Sequence, residues 1–481
     1  MKISLKLTLS KINRIVIFSK IRYNYSILFE KRFKTEKKLS SKDYLYLGSM
    51  LFGLFFGAGN LIFPVHMGQE AGANVWPAII GFLITGIGLP FLGIIAIGIS
   101  GENGLFDLAS RVHKGYGYFF TVALYLVIGP FFAMPRLAAT SFEIGLTPFV
   151  AENQKTLFLA IFSILFFALS WWFSRNPSKL LDYVGKFLNP LFLVLLAILI
   201  VMSFVKPMAN IHDITVLGNY RNHAFFTGFQ NGYNTLDVLA SLAFGIIVVN
   251  TLKNKGVTKK STITADTFKS GAVSVLLMGI IYSFLSLIGT MSMGKFDLSE
   301  NGGIALAQIA HYYLGTGGSI ILTLIVVVAC LKTTIGLTTA FSETFAELFP
   351  SLSYSTLIAG VSIIPCIIAN VGLTSIISYS TPVLMFLYPL AIILVLLGVS
   401  GPLFKNNPIV YQTVTIFTVI PALIDGLKSS PAWIQNAGIT QKMIEFAKNT
   451  LPFFEIGMGW IVPAVFGLVL GLGIYLIKEK L

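Results

Sequence analysis

Residues 44–67 read YLYLGSMLFGLFFGAGNLIFPVHM. The stretch is long and apolar enough to cross a bilayer as a helix. Its middle, Phe56-Gly57-Ala58-Gly59-Asn60, is poorly suited to one. Glycine and asparagine disfavour helix, and a plain membrane anchor carries leucine at such places. In a bilayer each backbone N–H and C=O needs an internal partner, so irregular backbone survives only where it is buried or lines a cavity. Two readings follow. A break at 56–60 would free amides and carbonyls to hold something polar, which makes Phe56, Gly57, Ala58, Gly59 and Asn60 a substrate-binding segment of a transporter. Alternatively, the small residues let a second helix approach closely.

Further along, the sixth apolar segment is interrupted in the same way. Phe229-Gln-Asn-Gly-Tyr-Asn-Thr-Leu-Asp237 places polar residues and a glycine inside a membrane run. Paired interruptions in two halves of a chain point to a transporter's central site. The start of a half-helix offers partial positive charge to an anion, and freed carbonyls suit a cation. An amino acid zwitterion needs both. Tyr233, Asn234, Thr235 and Asp237 therefore join the candidate binding set. Phe, Leu and Ile neighbours suit an aliphatic side chain. Asp237 is a carboxylate inside a core helix, and such acids are costly and functional by default. Its alternative role is an N-cap for the second half-helix.

The rest of the chain is built to match. Of 481 residues, 55% are hydrophobic and 11% charged, which places the protein in the bilayer. Mean hydropathy is +0.81. Spanning helices are expected at about 44–66, 75–99, 116–147, 155–174, 180–204, 225–252, 268–291, 318–347, 354–372, 374–399, 408–426 and 457–478, with a short interfacial helix at 301–313. This is an all-α polytopic membrane protein with about 12 transmembrane helices. The net charge of +14 belongs to the N-terminal tail and short loops rather than to a nucleic-acid surface. Arg111, Lys114, Arg175, Lys179, Lys253, Lys255, Lys259, Lys260, Lys405, Lys478 and Lys480 fall on one side. The other side has fewer: Lys155, Lys206, Arg221, Lys295, Lys428, Lys442 and Lys448. The positive-inside bias puts both termini in the cytoplasm of a cell-membrane protein.

Residues 1–42 are basic and lack a spanning run. They are expected to be a disordered extension or the product of an upstream translation start. Cys330 and Cys366 both lie in apolar runs and suggest neither disulfide nor metal site. The chain has no phosphate-binding glycine loop to drive transport with ATP. An intramembrane lipid-modifying enzyme is the alternative of another class, but the acid cluster or interfacial His/Asp pair of such enzymes is missing. Arg136 follows Pro130 and Pro135 in an overlong third helix, which those prolines should kink. Glu143 lies two turns on, on the same face, and is its expected ion-pair partner.

Several motifs carry a family resemblance. GAGNLIFP at 57–64, Ile128-Gly-Pro-Phe-Phe-Ala-Met-Pro-Arg136, Gly232-Tyr-Asn-Thr-Leu-Asp237, and Ala329-Cys-Leu331 with Ile335-Gly-Leu337 occur in order. From about Lys42 onward the chain resembles the branched-chain amino acid:cation symporters. The resemblance implies a LeuT-like fold of the amino acid–polyamine–cation superfamily, a 5+5 inverted repeat with helices 1 and 6 broken. Repeat one would cover about 44–204, repeat two about 225–399, and accessory helices about 408–478, in one domain from 43 to 481. It implies leucine, isoleucine or valine as substrate, Na⁺ or H⁺ as coupling ion, no other cofactor and no obligatory protein partner. By position, Na⁺ ligands would be the Thr333 and Thr334 side chains with carbonyls of Gly53, Phe56 and Cys330. Read from the residues alone, the two threonines can equally bond back to their own helix. Lys332 departs from the family pattern and is a coupling candidate, its ammonium taking the place of sodium in a proton-coupled variant.

Overall fold

The computed structural model describes residues 39–100, 104–175, 189–257 and 259–480. Most of the 1–42 extension lies outside them. Helix α1, Ser41–Phe55, starts on a reciprocal cap. The Ser40 hydroxyl accepts the Asp43 N–H at 3.2 Å, and the Asp43 carboxylate accepts the Ser40 N–H at 3.0 Å. Ser41 and Lys42 thus belong to the first helix. At Phe56 the backbone turns extended (φ −72°, ψ 98°), and Gly57 follows suit. Helix α2, Ala58–Ala71, then resumes.

Gly72 reverses the chain with φ +51°. The second crossing is α3, Val75–Leu83, a π turn at Ile84–Gly88, and α4, Leu89–Ser100. Short α5, Leu105–Ser110, leads to α6, Lys114–Leu126. A π segment at Val127–Phe131 and α7, Ala133–Gly145, complete the third crossing. The expected kink is there: Gly129 is non-helical (φ −102°, ψ −121°) beside Pro130, which has no N–H to donate. Helices α8, Lys155–Ser174, and α9, Asn189–Val205, follow; the start of the helix expected at 180–204 lies outside the described residues.

The sixth crossing is broken like the first. Helix α10, Tyr220–Asn231, tightens to a 3₁₀ turn at Gly232–Thr235. Leu236 then adopts a left-handed conformation, φ 65°, before α11, Asp237–Asn254. Helix α12 is Lys260–Ser292, and α13 is Gly302–Leu348 with a break at Gly315, φ +60°. That break separates the expected short helix near 301–313 from the long eighth crossing. Then come α14, Tyr354–Ala369; α15, Leu373–Ser400; α16, Pro408–Lys428; α17, Gly438–Thr450; and α18, Ile461–Lys480.

Among the described residues nine helical runs are long and apolar enough to cross a membrane, and Gly59–Ser100 holds two crossings joined at Gly72. Leu196–Val205 and Tyr354–Ala369 are shorter apolar helices. With these the twelve expected crossings are accounted for. Trp172 on α8, Val205 on α9 and Val469 on α18 are more than half exposed, as lipid-facing residues are. Inside, helices meet through reciprocal glycines. A Cβ on Gly68 would strike the Ser286 carbonyl, and one on Gly289 the Val65 carbonyl. Gly81 and Gly228 face the carbonyls of Phe225 and Ala78 likewise. Backbone therefore lies on backbone between α2 and α12 and between α3 and α10. The two broken crossings also touch directly, α2 against α10 and the 232–235 turn.

Candidate functional site

The two breaks are joined by a short polar chain. The Gly57 N–H, left over at the start of α2, donates to Asn60 Oδ1 at 2.7 Å. Asn60 Nδ2 donates to Asp237 Oδ2 at 2.7 Å. Tyr282 of α12 donates its hydroxyl to the same oxygen at 3.0 Å and also touches the Asn60 amide. Asn60, Asp237 and Tyr282 are buried. One carboxylate oxygen thus ties both breaks to α12. The N-cap role considered for Asp237 does not form: Leu236 occupies the cap position, and the first N–H of α11, that of Asp237 itself, donates to Thr235 Oγ1 at 3.3 Å. Asp237 begins the helix, so its carboxylate is turned toward α2 and α12 instead.

Arg136 bolts a third helix to this region. Its Nη1 donates to the Asn234 carbonyl at 2.6 Å and its Nη2 to Ser380 Oγ of α15 at 2.7 Å. The guanidinium lies 5.1 Å from the Phe63 ring centre. The expected Arg136–Glu143 ion pair is not formed. Seven residues along a helix amount to about 10 Å. The unwound end of α10 offers a carbonyl with no helical partner much nearer.

Between the breaks lies a cavity of about 50 Å³. Gly57, Gly59, Asn60, Thr235, Asp237 and Arg136 give it a polar side, and Thr333 of α13 reaches it. Ile128, Leu137, Phe244 and Leu337 give it an apolar wall. A Cβ on Gly57 would meet nothing closer than 3.6 Å, and one on Gly59 only the Phe63 ring at 3.3 Å. The close-packing alternative therefore does not describe Gly57, while at Gly59 the Phe63 ring would have to give way and the Thr235 backbone stands at 3.6 Å.

Other candidates lie elsewhere. Phe56 stacks on Phe52 at 4.9 Å, outside the cavity lining. Tyr233 stacks on Tyr388 at 4.3 Å, away from the cavity. Asn234 contributes its carbonyl to Arg136 and its side chain to Asn231. Ala58 opens α2. Thr333 Oγ1 donates to the Ala329 carbonyl at 3.2 Å, and Thr334 Oγ1 to the Cys330 carbonyl at 2.9 Å. Both threonines thus bond back to their own helix, which leaves their oxygen lone pairs for a cation. Gly53 sits in the last turn of α1, where carbonyls lack helical partners; in that turn Phe52's takes the Phe56 N–H at 2.8 Å. A set of neutral oxygens from α1 and α13 fits a small hard cation in kind. Lys332 is half-buried and is not part of the cavity lining. Tyr282 and Ser380 were not singled out in the sequence: one tyrosine or serine in an apolar helix is ordinary.

Two adjacent broken helices around a small cavity, in a helical chain of this order, define a LeuT-like fold. Solved structures agree on the fold. The inward-facing conformation of Mhp1 matches with a TM-score of 0.53 and 14% identity, covering 91% of each chain. MhsT in complex with L-phenylalanine matches at 0.55 and 14%, covering 91% of this chain and 99% of that one. Residues 40–478 match the family described as Branched-chain amino acid transport protein, and the chain belongs to it. The branched-chain amino acid permease BrnQ of Lactobacillus delbrueckii subsp. lactis is 46% identical over 430 residues, 89% of this chain and 96% of that one. BrnQ of Bacillus subtilis strain 168 is 44% identical over 445 residues, 92% and 99%. BrnQ of Escherichia coli K12 is 37% identical over 441 residues, 90% and 96%. These relatives are permeases, and the chain is a transport protein rather than an enzyme.

Proposed function

We propose that this protein imports leucine, isoleucine or valine across the cell membrane by symport with Na⁺, with both termini in the cytoplasm. The observation that carries the reading is the cavity between the two breaks, polar at Gly57, Asn60 and Thr235 and apolar at Ile128, Phe244 and Leu337. The N-terminal end of α2 favours the substrate carboxylate, and Arg136 adds positive charge to the same wall. Carbonyls of the 232–235 turn suit the ammonium group. The apolar wall takes the branched side chain. Because the cavity is small, the helices must part to admit substrate, as alternating access requires.

Na⁺ is a co-substrate in this reading. It would sit between the last turn of α1, at the carbonyls of Gly53 and Phe56, and the hydroxyls of Thr333 and Thr334. The Cys330 carbonyl, which already accepts from Thr334, would be a weaker ligand. The proton-coupled reading rests on one feature, the lysine immediately before Thr333. Leucine uptake into proteoliposomes at fixed pH tests both. Saturable accumulation that collapses when choline replaces sodium is expected. Undiminished uptake in choline overturns sodium coupling, and a Lys332→Thr protein that then requires sodium would show the ammonium standing in for the ion. Orientation is read with an impermeant thiol reagent on whole cells: a cysteine replacing Lys295 should react and one replacing Lys259 should not.

A further inference from the structure

The chain leaves one crossing, α16, at Lys428 and enters the next, α18, at Ile461, so the segment between them sits at the membrane face opposite the C-terminus. We propose that this segment is a lipid-binding anchor, with one flank of α17 sunk among phospholipid headgroups.

Its depth follows from packing. Helices α16 and α18 lie against each other, and α17 lies against α16. Ala447 of α17 and Phe454 beyond it are buried with Ile424, and Met443, Ile444 and Leu451 close round them. Ile424 is one turn from the end of α16, so α17 rests beside the last turn of a spanning helix. That is the level of the headgroups rather than of open water.

What this packing leaves outside is apolar. Ile439 is 78% exposed and Phe446 63%. Seven residues make two turns, so both stand on one side of α17. Trp433 before the helix and Phe453 after it are 76% and 57% exposed. Gln441, Glu445 and Lys448 are exposed on the other flank. Lys442 borders the apolar flank, a turn from both Ile439 and Phe446, where its stem can lie along lipid and its ammonium reach a phosphate. A helix divided in this way, with aromatic residues on its apolar side, lies in the membrane interface. Ile420 near the end of α16 and Val462 at the start of α18 are exposed as well, so the apolar surface of the crossings runs on into the segment. Depth and this continuity select lipid, rather than a soluble protein, as the occupant.

The anchor also holds the sixth crossing. Gln230, at the end of α10, donates Nε2 to the Ile456 carbonyl at 2.6 Å. Lys428 donates to the carbonyls of Phe454 at 2.9 Å and Glu455 at 2.8 Å. The end of α10 is thereby tied to the part of the chain that lipid fixes.

Fluorescence quenching in nanodiscs of phosphatidylcholine and phosphatidylglycerol, each disc holding one full-length chain, tests the proposal. Because Cys330 is buried, an NBD label at Phe446→Cys or at Gln441→Cys, in a Cys366→Ala background, reports on one flank each. Lipids carrying a nitroxide just below the headgroup should quench the Phe446→Cys label severalfold more than the Gln441→Cys label, and aqueous iodide the reverse. A label at Trp433→Cys should also be quenched from the lipid side. It should lose that quenching and gain iodide access when Ile439→Asp and Phe446→Asp are added, in protein that elutes as wild type. Equal iodide quenching of the Phe446→Cys and Gln441→Cys labels, with none from the lipid nitroxide, overturns the proposal. So does a Phe446→Cys label open to iodide in one-chain discs and shielded only in discs holding two chains, which would make the face a contact between copies.

Discussion

Gly57 and Gly59 lie within a dozen residues of Gly68, on the same broken crossing, yet their surroundings differ in kind. A Cβ on Gly57 would lie 3.6 Å from Leu137 and Thr333 side chains, ordinary van der Waals contact. A Cβ on Gly68 would lie inside the Ser286 carbonyl, and its reciprocal partner Gly289 meets Val65 the same way. Small residues in a membrane helix therefore serve two ends. At 57–59 they open a space beside the backbone; at 68 and 289 they close one. Nothing in the local sequence separates the two cases, because the difference lies in what stands opposite.

The largest effect should come from the closed pair. Gly289→Leu forces a side chain into backbone, which cannot rotate away. Overpacking a core costs typically about 1–3 kcal/mol, and a rigid carbonyl puts this site at or beyond the upper end. No monodisperse protein is expected by size-exclusion chromatography. A well-behaved Gly289→Leu protein with wild-type uptake would break the comparison.

The open pair should behave otherwise. At Gly59 the nearest atoms belong to the Phe63 ring, at 3.3 and 3.4 Å, and a ring can shift. Gly59→Leu should insert and elute as wild type while leucine uptake falls at least about a hundredfold, since the new side chain occupies the cavity. Normal uptake by correctly inserted Gly59→Leu would place the substrate elsewhere.

A milder change sharpens the same contrast. Tyr282→Phe removes one of the two donors on Asp237 Oδ2 and leaves the Asn60 bond in place. A hydrogen bond is worth about 1 kcal/mol net, or roughly fivefold in an equilibrium. Leucine KM should rise about that much, with folding unchanged. An unchanged KM would mean that α2 and α11 hold their geometry without α12.

How much of this was readable beforehand follows from the kind of signal. Both breaks were legible, because Gly, Asn and Asp in apolar runs contradict helix propensity and bilayer physics together. Asn60 and Asp237 were each singled out, but their direct bond spans 177 residues and no local pattern encodes it. Arg136 was noticed and given the wrong partner for the same reason. Helical spacing sees Glu143 along the helix, whereas the carbonyl that binds Arg136 was freed 98 residues away. Tyr233 was assigned to the site by proximity to the break, but the 3₁₀ turn swings its ring onto Tyr388.

The smallest effect is expected at the far end of the first crossing, where α1 is held by charge rather than by packing. Asp43, in the first turn ahead of the apolar run, pairs with Lys255 at 2.7 Å, and Tyr44 donates to Asp266 at 2.6 Å. The Lys255 ammonium, with help from the Ser40 hydroxyl and N–H, holds the Asp43 carboxyl well below the usual carboxylate range. A depressed folded-state value stabilises the fold above the ordinary carboxylate pKa, and that stabilisation is lost as pH falls toward the folded value. Solvent screens such a pair strongly. Lys255→Met should therefore lower the thermal midpoint by only about 1–2 °C at neutral pH. The difference from wild type should hold from neutral pH down to the ordinary carboxylate range and shrink in stronger acid. Leucine KM should not change, because the central cavity lies beyond the break and is fixed by Asn60, Asp237 and Arg136. A Lys255→Met protein of normal thermal stability whose uptake collapses would show that this surface pair governs when α1 swings away from the site, and would make the charged end of the helix, rather than its glycines, the part that controls opening.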